Sequence, residues 1–262
     1  MTQSKKTKST QAIERPHSNQ SLESDLELLK LSYCLKEYEH YAQLAHQNNW
    51  THLQFFQELI KGEANAMQDR RLQRRIQQGK FGVIKTLDQF DWTWPKEINE
   101  MQVRHLFRLS FIPKNENIIF IGGVGLGKTH LASALGYQAC LQGFNVLFVS
   151  AIEIVNNLAS AHKQHRLKQE LNRYIKPQLL IIDELGYLPI DKRDADLLFQ
   201  VISERYEKGA IAVTTNKAFK DWPEIFSGDA SLTSAALDRL LHYSQVITIE
   251  GSSFRMRGRI EE

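Results

Sequence analysis

The chain has little that would commit it to a disulfide framework, a zinc site or a membrane. It carries two cysteines in 262 residues. Cys34 and Cys140 stand far apart, without a CxxC pair or a neighbouring histidine pair, so neither a disulfide nor a zinc cluster is supported and both read as buried thiols. Long apolar runs are missing as well. Leu179 to Ile182 is among the longest, far below the ~20 residues that a membrane-spanning helix needs. The first twenty residues are polar and basic with no apolar centre, which argues against a signal peptide or anchor. Residues 1–21 are therefore expected to be a loose, disordered basic tail and the protein to be cytoplasmic.

A large excess of charge of one sign is also missing. Lysine and arginine number 33 against 30 acidic residues, a net charge of +3. Residues 1–100 hold 14 basic and 13 acidic side chains, the remainder 19 and 17. Affinity for nucleic acid would have to come from local clusters and not from the overall field. With 42% apolar and 24% charged residues, the composition is that of a globular protein able to bury a core.

Between residues 22 and 79 the pattern is helical. Leu28, Leu31, Leu35, Tyr38, Ala42 and Ala45 recur three and four apart, as on the core-facing stripe of one helix. A second helix is expected near Thr51, where Thr51 and Gln54 can form a capping box ahead of Leu53, Phe56 and Leu59 or Ile60. A third carries MQDRRLQRRIQQGK, with Arg70 and Arg74, and Arg71 and Arg75, in two adjacent basic rows. These rows are either a solvated face or a phosphate-contacting ridge. Residues 22–79 thus form a small helical domain, suited to contact a partner or DNA.

Residues 80–116 are punctuated by Gly82, Pro95 and Pro113 and read as a connector. The alternating aromatics Phe90, Trp92 and Trp94 in FDWTWP are expected to pin it to a domain surface, base stacking being the weaker alternative. From residue 117 to 262 strands alternate with helices, the pattern of a parallel sheet covered on both faces. The expected strands are Ile118 to Ile121, Val146 to Ser150, Leu179 to Asp183, Ala210 to Thr215 and Val246 to Ile249. Helices are expected near Lys128 to Gln142, Ala151 to Tyr174 with a break, and Arg193 to Lys208.

Gly122, Gly127, Lys128 and Thr129 meet the spacing GxxxxGK[ST] between an apolar strand and a helix. Phosphate oxygens demand several inward-pointing backbone N–H groups, and side chains there would obstruct them, which is why glycine is needed. The helix start adds its positive dipole end. The candidate ATP loop is Gly122, Gly123, Val124, Gly125, Leu126, Gly127, Lys128, Thr129 and His130. Lys128 is placed to reach the β and γ phosphates and Thr129 to ligate Mg²⁺.

A second element, LLIIDELG, ends a buried strand in two carboxylates at the edge where open α/β sheets bind ligands. Asp183 is assigned to the Mg²⁺ shell and Glu184 to the polarisation of an attacking water, which favours hydrolysis over transfer to a second substrate. A third strand, AIAVTTN, ends at Asn216. Its amide can bond the γ-phosphate or the lytic water, or cap a helix.

Together GGVGLGKTHLA, LLIIDELGYLP, LLFQVISERYEKG, TTN and LDRLLH resemble the AAA+ ATPases of the IstB-like transposition helpers, which accompany the transposases of bacterial insertion sequences. The likeness extends more distantly to DnaC-type helicase loaders and the DnaA-like initiators. It implies a P-loop AAA+ domain with a five-stranded parallel sheet behind a helical domain. It also implies a homo-oligomer with ATP between subunits, Arg239 as an arginine finger reaching the next subunit's γ-phosphate, and Arg255 as a possible second sensor. A transposase and double-stranded DNA are the implied partners. Lys163, Arg166 and Lys168, in AHKQHRLKQELNRYIK, are the candidate phosphate contacts, with a solvated helix face as the alternative and no signature of sequence readout. The alternative reading is a DnaC-type loader acting on single-stranded DNA.

Overall fold

The computed structural model describes residues 19–187 and 190–254. By contacts within the chain they fall into two compact units, divided between Arg71 and Leu72.

The first unit is helical: α1 (Asn19–Leu28), α2 (Ser32–Gln47) and most of α3 (His52–Gly79). The single stripe expected from Leu28 to Ala45 is broken. Lys30 adopts φ +58°, Lys30 N–H donates to Glu27 O and Leu31 N–H to Leu26 O, both at 2.9 Å. This is the 5→2 and 6→1 pair of a Schellman stop. Leu28 is consequently 79% exposed, whereas Cys34 is buried. The helices expected near Thr51 and at MQDRRLQRRIQQGK are one continuous α3. Its capping box forms as expected, Thr51 N–H donating to Gln54 Oε1 at 2.8 Å and Gln54 N–H to Thr51 Oγ1 at 3.2 Å. α3 also caps α2. Buried Glu63 accepts from the Tyr33 and Cys34 amides at 2.7 and 3.0 Å and from Arg70 Nη2 at 2.7 Å. Arg70 is thereby part of the helix pairing, which removes it from the basic ridge and leaves Arg71 and Arg74 exposed on that face.

The second unit begins inside α3, at Leu72, because Leu72 and Ile76 already pack on its core. Its centre is a parallel sheet of β1 (Asn117–Gly122), β2 (Val146–Ser150), β3 (Leu179–Leu185), β4 (Ala210–Thr215) and β5 (Ser244–Ile249), ordered β2-β3-β4-β1-β5. Alternation along each strand divides two cores. Ile119, Leu180, Ile182, Ile211 and Val213 face α6 (Ala151–Lys163), α7 (Leu167–Ile175), α8 (Lys192–Arg205) and α9 (Ala230–Leu241). Ile118, Phe120, Leu179, Ile181, Ala210 and Ala212 face α4 (Glu100–Leu106), α5 (Lys128–Leu141) and the connector. The expected break within 151–174 lies at residues 164–166, where His165 takes φ +54°.

Because β4 is inserted between β1 and β3, the strand ends meet along one edge in an order that the sequence does not show. Ile121 pairs with Thr215 and Ser150 with Asp183. The opposite edge is locked by Arg205, 1% exposed. Its guanidinium donates to the carbonyls of Tyr174, Ile175, Pro177, Gln178 and Ala210 at 2.7 to 3.3 Å. Two of these are orphan carbonyls at the end of α7, which also favours a cation there.

Candidate functional site

The glycine loop leaves β1 and enters α5 with Gly125 at φ +76° and Gly127 at φ +84°. Both positions require glycine, since left-handed backbone disfavours a Cβ. Space confirms it: a Cβ on Gly127 would lie 2.6 Å from Phe90 Cε2, and one on Gly125 2.1 Å from Ser253 Oγ. Leu126 is buried and anchors the loop to the core beneath. Lys128 opens α5, and its ammonium donates to Gly122 O at 2.9 Å and Gly123 O at 2.6 Å. Val124 stands exposed at the tip.

Thr129 Oγ1 donates to Asp183 Oδ1 at 3.0 Å, joining the loop to the end of β3. The same carboxylate oxygen accepts from the Thr214 hydroxyl of β4. Asp183 is buried and its neighbour Glu184 exposed, so the adjacent carboxylates occupy different environments. Glu184 adopts φ +58°, a strained backbone for a residue with a Cβ and of a kind that gathers at functional sites. Asn216 follows β4 directly and is exposed, between the loop strand and the acidic strand.

Sequence reasoning missed what covers the loop. The connector does more than pin itself to a surface: Phe90 packs edge-on to His130, ring centroids 5.5 Å apart, and to Trp92 at 4.9 Å. His130 Nε2 bonds Thr86 O at 2.9 Å and Ser133 Oγ donates to Val83 O at 3.0 Å, stitching α5 to the connector. From the other end of the chain, Phe254 N–H donates to Gly125 O at 3.0 Å. Trp94 meets the Phe254 ring edge-to-face at 5.6 Å and donates from its indole to Ser252 O at 2.9 Å. A cavity of about 570 Å³ lies among these groups, lined by Val83, Phe90, Trp94, Lys128, His130 and Phe254. The alternating aromatics of FDWTWP were the signal, but periodicity does not reveal which surface they cover.

Other expected residues lie elsewhere. The backbone carbonyl of Arg239 accepts from Asn117 Nδ2 at 3.3 Å, at the start of β1 and so ~16 Å of strand away from the loop. Its guanidinium rests 5.1 Å over the Phe199 ring and donates to Ala235 O at 2.9 Å. Arg239 is therefore not part of the loop site of its own chain. Lys163, Arg166 and Lys168 are exposed together around the α6–α7 turn, ~20 Å along α6 from the strand edge. Of the same segment, Arg173 is tied to Glu170 at 3.0 Å and to Glu153 at 3.8 Å. Arg255 lies outside the described residues.

The arrangement fits a nucleoside triphosphate and a hard cation. The glycines form a cradle that Cβ atoms would fill, and a hydroxyl beside a buried carboxylate is an oxygen donor set of the kind Mg²⁺ takes with phosphates. Among the described residues no group of three or more His, Cys, Asp or Glu could hold a metal unaided, so phosphate and water would supply the other ligands. No helix among them is long and apolar enough to cross a membrane.

Comparison with known proteins gives one family. The family model described as IstB-like ATP binding protein matches residues 24–262. An ATP-binding protein of insertion sequence IS5376 from Geobacillus stearothermophilus, so named, is 40% identical over 87% of this chain and 91% of its own length. That of insertion sequence IS21 from Pseudomonas aeruginosa is 38% identical over 90% and 89%. Among solved structures, the DnaC helicase loader matches with TM-score 0.52 and 18% identity, over 63% of this chain and 96% of that one. AMPPCP-bound DnaA from Aquifex aeolicus matches with TM-score 0.52 and 23% identity, over 68% and 54%. At these identities the two structures attest a shared AAA+ fold and no more.

Proposed function

Because this chain belongs to the family of IstB-like ATP-binding proteins, we propose that it is a Mg²⁺-dependent ATPase that assembles on duplex DNA and assists a transposase. The observation that carries the ATPase part is the hydrogen bond from Thr129 to Asp183 beside an outward-turned Glu184. It supports a metal-holding role for one carboxylate and a water-polarising role for the other.

Thr129 and Asp183 would hold Mg²⁺, which when bound would supply positive charge against the charge that develops on the phosphates. The loop amides from Gly123 to Thr129 and the start of α5 bind the phosphates. Lys128 exchanges its two carbonyl partners for phosphate oxygens. Glu184 orients the attacking water and takes its proton, and Asn216 bonds that water or the γ-phosphate. The apolar cavity beside the loop takes the base and sugar, with Trp94 and Phe254 as its roof.

Arg239 acts in trans. It is parked on Phe199, away from its own loop, and an arginine completing a neighbour's site makes turnover depend on assembly. Lys163, Arg166 and Lys168 contact DNA phosphates without reading sequence. The names of the relatives, ATP-binding proteins of insertion sequences, support a transposase as client.

The test is ATP hydrolysis by the full chain with Mg²⁺ alone, with duplex and with single-stranded DNA, alongside light scattering with a nonhydrolysable analogue. Turnover and particle size rising together with duplex are expected. Stimulation by single strands alone would favour a helicase loader, and absence of nucleotide binding would overturn the proposal.

A further inference from the structure

β3 and β4 are in register at Ile182↔Val213 and again at Leu185↔Thr215. Between these pairs β3 has two residues, Asp183 and Glu184, and β4 has one, Thr214. That is a bulge, and a bulge leaves one residue without a ladder partner. Of the two bulge residues, Glu184 takes φ +58°. Its N–H donates to Thr214 Oγ1 at 2.9 Å. The hydroxyl hydrogen of Thr214 goes to Asp183 Oδ1, the oxygen that also accepts from Thr129. One buried hydroxyl, 1% exposed, therefore accepts from one acidic residue and donates to the other.

We propose that Thr214 is the positioning residue of the acidic pair, holding Glu184 turned out on the bulge by its amide while fixing the Asp183 carboxylate against Thr129. The inference rests on the ATPase reading above. Only a β-hydroxyl does both tasks: valine keeps the shape and the β-branching, offers no acceptor to the Glu184 amide and gives Asp183 no donor. Without that anchor the strained residue relaxes and the glutamate carboxylate drifts from the water. A displacement of about 1 Å costs up to about a hundredfold in rate, while the loop amides and Lys128 are untouched.

The experiment compares Thr214→Val, Thr214→Ser and the parent full chain in steady-state ATP hydrolysis, with Kd for a fluorescent ATP analogue measured separately. Thr214→Val should lower kcat by about tenfold to a hundredfold with Kd within about threefold, and Thr214→Ser should recover most of the loss. In a cycle with Glu184→Gln, the two substitutions should not multiply, because both remove the same placed carboxylate. Should the valine variant fail to fold, Thr214→Ala carries the same comparison. Turnover of the hydroxyl-free variant within twofold of the parent overturns the assignment, as does affinity falling in step with turnover, a serine variant as slow as valine, or multiplicative losses in the cycle. A parent chain without ATP turnover under any condition overturns the ATPase reading instead, so the two failures are told apart.

Discussion

Arg205 sits in the motif SERYEKG, where a charged residue invites a functional role, yet its surroundings predict that replacing it unfolds the protein before it touches any chemistry. The guanidinium donates to five backbone carbonyls contributed by α7, the α7–β3 turn and β4. Burial pushes it down to about 10, so it stays charged at neutral pH. A buried acceptor left without a donor costs about 1–3 kcal/mol. Arg205→Met strands up to four of them, since Gln178 O keeps the Ala210 N–H at 3.2 Å, so even at the lower limit the loss is about 4 kcal/mol, close to the whole stability of a marginal domain. Arg205→Lys keeps the charge but has three donors in place of a planar fork and strands at least one carbonyl, for about 1–3 kcal/mol. For a unit of this size 1 kcal/mol shifts Tm by about 2–4 °C. The melting temperature of the full chain, followed by circular dichroism, should therefore fall by about 8–16 °C for methionine, with lysine in between. A methionine variant that melts within about 3 °C of the parent but has lost ATP turnover would refute the structural assignment.

Four further outcomes are expected. Glu184→Gln should bind ATP and retain assembly on DNA while turnover drops by about 10²–10⁴; assembly lost together with hydrolysis would remove the water-orienting role. Arg239→Ala and Lys128→Ala chains, each inactive alone, should regain turnover when mixed, because some interfaces then pair an intact loop with an intact finger; no rescue at any ratio would return Arg239 to its perch on Phe199. Lys163→Ala with Arg166→Ala should flatten the slope of log affinity against log salt by about 1.8, or 0.9 for each phosphate that is no longer neutralised, and an unchanged slope would make the segment a solvated face. In the helical unit, burial alone would raise the Glu63 carboxyl, but Arg70 and the amides of Cys34 and Tyr33 hold it below the usual carboxylate value. A depressed acid stabilises above the unfolded carboxylate range and stops doing so as pH falls through the lowered value. Glu63→Gln should thus melt lower at neutral pH and change less on acidification, and an acid response identical to the parent's would exclude this link.

The elements most legible in the sequence were those whose requirement is local. A bare GxxxxGK[ST] turn between an apolar strand and a helix has one economical use, and five apolar runs spaced by helical segments imply a parallel sheet. The capping box of Thr51 and Gln54 is a three-residue matter and formed as expected. Where periodicity erred, a local conformation intervened: the stripe from Leu28 to Ala45 was interrupted by Lys30 in the left-handed region, a position more often given to glycine. Arg70 read as one of four equivalent charges, because nothing in the spacing showed that Glu63, two turns earlier, would be buried beside it.

By itself the sequence determined the phosphate loop, the acidic strand end and the family, because each resides in a contiguous run of residues whose chemistry is carried by identity and order. Only the tertiary structure decided that β4 enters between the loop strand and the acidic strand, that Thr214 thereby joins Asp183 to Glu184, and that Trp94 and Phe254 meet over the cavity. Strand order and ring contacts are set by how apolar faces share one core, a long-range choice that residues distant in sequence make together and that no short stretch records.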